Sequence, residues 1–225
     1  MKDFTLIIYA LPGGGKGTQG KYLRDKYNAN YLSSGDIIRK LKEESSPLGK
    51  EIKNRYNKGI PQPDKVIMEI FGNSIKKLVT DTANKKFVID GFPKTANQAE
   101  FLDKLSAQLN MANPIFIYLD VDASSVIKRI SSRLFCHECG ASYLPLQNEF
   151  VEKKCFKCNG LLQIRDDDKP EVVKTRILEE KKRIKTLLEY YKKTNRLLII
   201  DGKPAITKVN QLIIDSLRKN GIIND

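Results

Sequence analysis

The run Phe4-Thr-Leu-Ile-Ile-Tyr9, followed at once by Ala10-Leu-Pro-Gly-Gly-Gly-Lys16-Gly-Thr18, constrains this chain more than any other feature. Six almost uniformly apolar residues suit a strand buried on both faces of a parallel sheet. The consecutive glycines let the backbone reach positive φ without steric cost, and from Gly17 to Tyr27 the pattern becomes helical. A strand that passes through such a turn into a helix aims several backbone N–H groups at one point. The helix N-terminus adds partial positive charge there. The segment suits phosphate, with Gly13, Gly14, Gly15 and Gly17 shaping the loop, Lys16 reaching the β- and γ-phosphates and Thr18 near Mg²⁺. It departs from the general G-x-x-x-x-G-K-[ST] pattern in two places. Ala10 stands where the first glycine belongs, which raises a question of backbone strain, and Gly17 separates Lys16 from Thr18. A plain tight turn between strand and helix is the alternative reading.

The alternation continues along the chain. Strand-like runs occupy Lys86–Asp90, Pro114–Asp120 and Leu197–Gly202, and helical patterns occupy Ile37–Lys42, Val66–Val79, Ala96–Leu109, Ser124–Arg133, Glu171–Tyr191 and Lys208–Lys219. Strands alternating with helices imply an α/β fold with a parallel sheet covered on both faces. Three strands end in Asp90, Asp120 and Asp201, where such sheets bind ligands. Asp90 is expected near the metal and phosphates. Residues 33–65 and 134–166 break the alternation and read as inserts in a core made of 1–32, 66–133 and 167–225. No run approaches the roughly 18–20 apolar residues of a membrane span. The apolar N-terminal run is too short for a signal peptide, so a cytoplasmic protein is expected.

The four cysteines fall in one stretch as Cys136-His-Glu-Cys139 and Cys155-Phe-Lys-Cys158, with 15 residues between the pairs. Two Cys-x-x-Cys pairs at that spacing predict a closed, structural Zn²⁺ site, with Gly140 and Gly160 placed after the pairs as in a zinc knuckle. His137 is not expected to be a ligand. Reduced thiols without metal, or a disulfide, are the alternatives.

The formal charge is +13, from 40 basic and 27 acidic residues. Thirty of the basic residues are lysine and only ten are arginine, a bias spread over the whole chain. Arginine therefore stands out where it occurs. Arg129 and Arg133 are four apart on a predicted helix, which puts them on one face. Arg165 precedes Asp166-Asp167-Asp168, and Arg176 lies on the following helix. In Ser33-Ser-Gly-Asp-Ile-Ile-Arg39, either Ser33 or Ser34 caps a helix that carries Arg39 on its first turns. A guanidinium there forks onto phosphate, although a serine-capped surface helix fits the same residues.

Together these motifs resemble the adenylate kinase family over nearly the whole chain, from Phe4 to about Val209. Leu11-Pro-Gly-Gly-Gly-Lys-Gly-Thr-Gln19 is similar to the family's phosphate loop, Ser33–Arg39 to its monophosphate-binding segment, and Asp90-Gly-Phe-Pro-Lys-Thr-Ala-Asn-Gln98 to its acceptor motif. The resemblance implies a P-loop fold in which 33–65 is the segment that binds a nucleoside monophosphate (NMP) and 134–166 a zinc lid. It implies an acceptor site of Ser34, Arg39, Ile60, Gln62, Gly91, Lys94, Gln98, Arg165 and Arg176, with Gln98 on the base edge. On the ATP side it adds Arg129, Arg133, Ser142, Tyr143 and Pro204. Asp167 and Asp168 match an acidic pair that helps lid closure. The family pattern has arginine where Lys94 stands and a Leu-Val pair where Pro61-Gln62 stands. Both departures fall on the acceptor side.

The implied reaction is ATP + AMP = 2 ADP with Mg²⁺. Phosphoryl transfer spreads negative charge over the equatorial oxygens, so positioning and electrostatic stabilisation by Lys16 and the arginines carry it. The partners expected are ATP and a nucleoside monophosphate, AMP in first place, with a monomeric protein and no membrane or nucleic acid. The alternatives are the same chemistry on CMP, UMP or GMP, and a degenerate nucleotide site in a zinc-ribbon protein that binds nucleic acid.

Overall fold

The computed structural model describes residues 2–131, 133–143 and 154–224; the side chains of Lys128 and Ser131 lie outside that description. In chain order the elements are β1 (Phe4–Tyr9), α1 (Lys16–Tyr27), β2 (Asn30–Ser33), α2 (Ser34–Leu41), α3 (Pro47–Asn57), α4 (Asp64–Thr80), β3 (Lys86–Asp90), α5 (Ala96–Gln108), β4 (Pro114–Asp120), α6 (Ala123–Ser131), β5 (Leu134–Cys136), β6 (Ser142–Tyr143), β7 (Leu162–Gln163), α7 (Pro170–Lys193), β8 (Leu197–Asp201) and α8 (Ile206–Lys219). A single 3₁₀ turn, Asp166–Asp168, precedes α7.

Five strands form one parallel sheet in the order β2-β3-β1-β4-β8. The chain has the α/β fold of P-loop nucleotide-binding proteins. Strand β1 lies at the centre, where both faces are buried, which is why its sequence is apolar at every position but Thr5. Its odd and even residues feed separate cores. Ile7 and Tyr9 pack with Phe71, Phe92, Phe116, Leu187 and Tyr191 under α4, α5 and α7. Leu6 and Ile8 pack with Leu23, Val209, Ile213 and Leu217 under α1 and α8.

One element departs from the sequence expectation. Strand β2 holds Asn30 and Tyr31 and lies half-buried at the sheet edge, so it lacks the apolar run that marks the inner strands. Helix α3 begins at Pro47, with the Ser46 hydroxyl accepting from Gly49 N at 3.0 Å, a proline-led helix start. A three-stranded antiparallel sheet, β6-β5-β7, carries the cysteine segment. Among the described residues, no helix is long and apolar enough to cross a membrane.

Candidate active site

The glycine loop joins β1 to α1 with Gly13 at φ 78° and Gly15 at φ 89°, conformations that favour glycine. Gly14 N bonds back to Leu11 O at 2.8 Å. A side chain at Gly14 would sit 2.7 Å from the Ala10 Cβ, so Ala10 itself closes the space on that side. The question of strain at Ala10 is answered by its backbone. Among the described residues, the non-glycine positions with positive φ are Asn28, Asn110, Asn159 and Asn195, and Ala10 is not one of them.

Lys16 opens α1 half-buried beneath this loop. Burial pulls its amine down to about 8, an effect only partly offset by the nearby Asp90 carboxylate and reinforced by Lys94 and Arg176. Thr18 is exposed one turn along. Asp90 ends β3 buried; its Oδ2 accepts the Tyr31 hydroxyl at 2.8 Å, while its Oδ1 is buried with no partner. A buried carboxylate oxygen without a partner beside Lys16 fits the magnesium that accompanies ATP. Asp120 and Asp201, at the ends of β4 and β8, are exposed, and Asp201 instead accepts from Lys203 N at 3.0 Å.

Across Gly91 from Lys16 lies a cavity of about 150 Å³. It gathers Ser34, Arg39, Gln62, Gly91, Lys94, Gln98 and Arg176 of the expected acceptor residues. Ile60 is exposed and outside its lining. Ser33, not Ser34, caps α2 by accepting from Asp36 N at 3.3 Å, while Ser34 donates to Gly91 O at 2.8 Å. Gly91 has φ 74°, and a Cβ there would meet the Ser34 Oγ at 2.8 Å and Lys16 Cε at 3.8 Å. Gly91 thus lies between the Lys16 side chain and Ser34 of the cavity lining. Gln98 is held in one orientation: its Nε2 donates to Asp64 Oδ1 at 2.8 Å and its Oε1 accepts from Lys94 N at 2.8 Å. Gln62 Nε2 donates to Ile52 O at 3.2 Å.

Two of the arginines, Arg133 and Arg176, pair with Asp167 and Asp168, and the expected placement of Arg129 and Arg133 on one helix is corrected. Helix α6 ends at Ser131, so Arg129 and Arg133 do not share a helical face. Arg129 donates to Gly202 O and Lys203 O at 3.4 and 3.1 Å, beside Pro204. Arg133 forks onto Asp168, Nε at 2.8 Å and Nη2 at 2.5 Å, and Asp168 is wholly buried. Arg176 pairs with Asp167 Oδ2 at 2.7 Å and Asp168 Oδ1 at 3.4 Å. Burial alone would push the Asp167 carboxyl up; Arg176 and Tyr56 outweigh it and hold the group low. Arg39 is bonded to Asp36. Arg165 donates to Ser142 Oγ at 2.9 Å and lies 4.0 Å over the Phe135 ring, on which Arg39 also rests at 5.8 Å. Arg165 Nε is buried with no partner among the described residues. Burial, with Arg39 and Arg133 adding repulsion, pulls the Arg165 guanidinium down to about 10. Cations crowded to that degree favour an added anion.

The four cysteines converge, with their Sγ atoms all within 4.8 Å of one another, and none is in a disulfide. Cys136 and Cys158 are 3.5 Å apart, Cys139 and Cys155 3.4 Å. A zinc–sulfur bond of about 2.3 Å gives a tetrahedron edge of roughly 3.8 Å, so the cluster can hold a metal with small adjustment. The two turns match: Gly140 N bonds Cys136 O at 3.0 Å, and Asn159 N bonds Cys155 O at 2.8 Å. The left-handed residues are Gly140 and Asn159, not Gly160. A Cβ at Gly160 would come within 2.6 Å of the carboxyl of Glu138, an exposed side chain that can swing aside. The Tyr143 hydroxyl lies 3.3 Å from Cys155 Sγ, directed at the thiols. His137 packs edge-on against Phe135.

Sequence reasoning missed Tyr9, Tyr31, Asp64, Phe135 and Glu180. Tyr31 was hidden in the edge strand. Glu180 sits in Glu179-Glu-Lys-Lys182, which reads as a solvated helix face, yet it is buried and receives both Lys94 Nζ and the Tyr9 hydroxyl. A phenol tip at Tyr9 inside an apolar strand was the one available signal, because a buried hydroxyl needs a partner.

A phosphate loop on a parallel sheet, facing an arginine-rich cavity across one glycine, defines a phosphotransferase of the nucleoside monophosphate kinase class. Residues 8–196 match the family model described as adenylate kinase. An adenylate kinase of Methanocella arvoryzae is 36% identical over 214 residues, covering 95% of this chain and 98% of that one. One from Lactobacillus delbrueckii subsp. bulgaricus is 38% identical over 206 residues, covering 91% and 94%, and one from Thermodesulfovibrio yellowstonii 36% over 215 residues, covering 95% and 99%. The chain belongs to the adenylate kinase family, and ATP + AMP = 2 ADP is the reaction that membership assigns to it.

Proposed function

We propose that ATP phosphates occupy the loop Gly13–Thr18 of this chain and AMP the cavity lined by Lys94, with the γ-phosphoryl group passing between them over Gly91. The position of Gly91 carries this reading: Ser34 bonds its carbonyl, and a side chain there would reach Lys16. Magnesium arrives with ATP and neutralises its phosphates; Thr18 and the free Asp90 Oδ1 are the residues that would hold it. Lys16 binds the β- and γ-phosphates. Arg129 and Arg133 serve the donor, with Ser142, Tyr143 and Pro204 bordering its nucleoside. Arg39, Arg165 and Arg176 take the acceptor phosphate and the charge that develops in transfer. Gln98 keeps one amide hydrogen and one lone pair beyond its fixed bonds, a donor and an acceptor for the adenine edge. Ser34 and Gln62 wall the same side.

In this reading residues 33–65 and 134–166 move against the core and exclude water. Asp167 and Asp168 hold Arg133 and Arg176 for that closure. The four thiols take a structural Zn²⁺, which replaces a core that so short a segment cannot build. The protein works as a monomer in the cytoplasm, where its thiols stay reduced, and uses no membrane or nucleic acid. Incubation of ATP with AMP, CMP, UMP or GMP in turn tests the acceptor. AMP should be turned over fastest; faster turnover of CMP or UMP would overturn the assignment.

A further inference from the structure

A carboxylate in a phosphate-binding cavity is electrostatically out of place, and Glu180 is one. It projects from α7 into the acceptor cavity, 7% exposed, and each of its oxygens is taken. Oε1 accepts from Lys94 Nζ, and Oε2 from the Tyr9 hydroxyl at the end of β1. Lys94 side-chain exposure is 32%, so the ammonium bridges the buried carboxylate and the open space of the cavity. The other cations of the cavity have carboxylate partners outside this pair: Arg39 has Asp36, Arg176 has Asp167 and Asp168, and Arg183 lies 3.6 Å from Glu179.

We propose that Glu180 is an internal competitor for Lys94, a positioning residue that occupies the ammonium until the acceptor's phosphate draws it away and so sets the affinity for the acceptor. The inference rests on the acceptor site proposed above. Lysine makes this possible. Its ammonium is a compact charge on a flexible stem, able to swing from carboxylate to phosphate, whereas a guanidinium fork spans both partners at once. Tyr9 moderates the competition. Its hydroxyl takes part of the Glu180 charge, so that the carboxylate holds Lys94 less tightly than it would alone. In the absence of acceptor, the pair keeps the cavity free of an unbalanced charge.

Opposite signs from two variants test this. Glu180→Gln keeps the shape, removes the charge that retains Lys94 and removes repulsion of the phosphate. It should lower KM for AMP by about threefold to tenfold, with KM for ATP unmoved. Tyr9→Phe leaves Lys94 as the carboxylate's one strong partner and should raise KM for AMP, again with KM for ATP unmoved. A merely structural role would raise KM in both variants together with a lower melting temperature. That outcome, or an unchanged KM for AMP in Glu180→Gln, overturns the inference. Failure of the wild-type protein to use any monophosphate would instead overturn the acceptor reading beneath it.

Discussion

Lys94 Nζ is bonded to Glu180 Oε1, and the Tyr9 hydroxyl bonds the other oxygen of the same buried carboxylate. Burial alone would push the Glu180 carboxyl up; the Lys94 charge and both hydrogen bonds outweigh it and keep the group ionised below its usual range. The lysine that departs from the family's arginine is therefore tied into the lining of the cavity. Lys94→Arg should lower KM for AMP, because a planar fork can hold Glu180 and phosphate together. Lys94→Gln should raise that KM at least tenfold and, by stranding a buried carboxylate, cost about 2 kcal/mol of stability once partial exposure of the pair is allowed for. Steady-state kinetics and denaturant melts check both. An unchanged KM in Lys94→Arg would mean that the cavity already compensates for lysine.

Asp168 is the joint between Arg133 and Arg176, with no exposed side-chain surface. Asp168→Asn keeps the shape but weakens the hold on Arg133 and Arg176. It should lower kcat/KM by about a hundredfold, since misplacement of charge around the transferring group costs on that scale. A loss of less than about threefold would show that the arginines are positioned by other contacts.

Lys16 should reveal itself through protons. Its amine is lowered to about 8 in the ligand-free protein, and a bound polyphosphate favours the ammonium and raises it. Between those two values binding must take up a proton, so uptake is small near pH 6 and grows as the pH passes 8. Calorimetric titration of Lys16 protein with ATP at pH 8, in buffers of different ionisation enthalpy, should show uptake of about half a proton. Lys16→Met should remove it. Buffer-independent heats in the unaltered protein would contradict this account of the loop.

Among the described residues, the buried core of the cysteine segment is Cys136, Cys155 and Leu162. Zinc analysis should give one metal per chain. Chelation should lower the melting temperature, and Cys136→Ser should do the same without chelator. Metal-free protein with an unaltered melt would contradict the zinc assignment.

The inner strands were legible because each is apolar on both faces, and the phosphate loop because glycine, lysine and a strand–helix junction occur together. Edge strand β2 escaped because its polar residues serve the site: Tyr31 holds Asp90, and Ser33 caps the next helix. The arginine set was legible by its scarcity in a lysine-rich chain. The pairs that fix those arginines were only partly so. Asp167 and Asp168 stood out as a run, whereas Glu180 lies in a charged stretch that periodicity assigns to solvent. Only the tertiary approach of α7 to β1 and to the loop after β3 buries it. The question over Ala10 came from applying a glycine rule to a position that does not take positive φ.

The central claim is that one phosphoryl group passes from ATP in the Lys16 loop to AMP in the Lys94 cavity. Phosphorus NMR of the purified protein with MgATP and AMP follows every species at once. The account predicts that ATP and AMP fall together while ADP grows by two for each AMP consumed, and that Lys16→Met abolishes the exchange. Loss of ATP with release of inorganic phosphate and no change in AMP would contradict it.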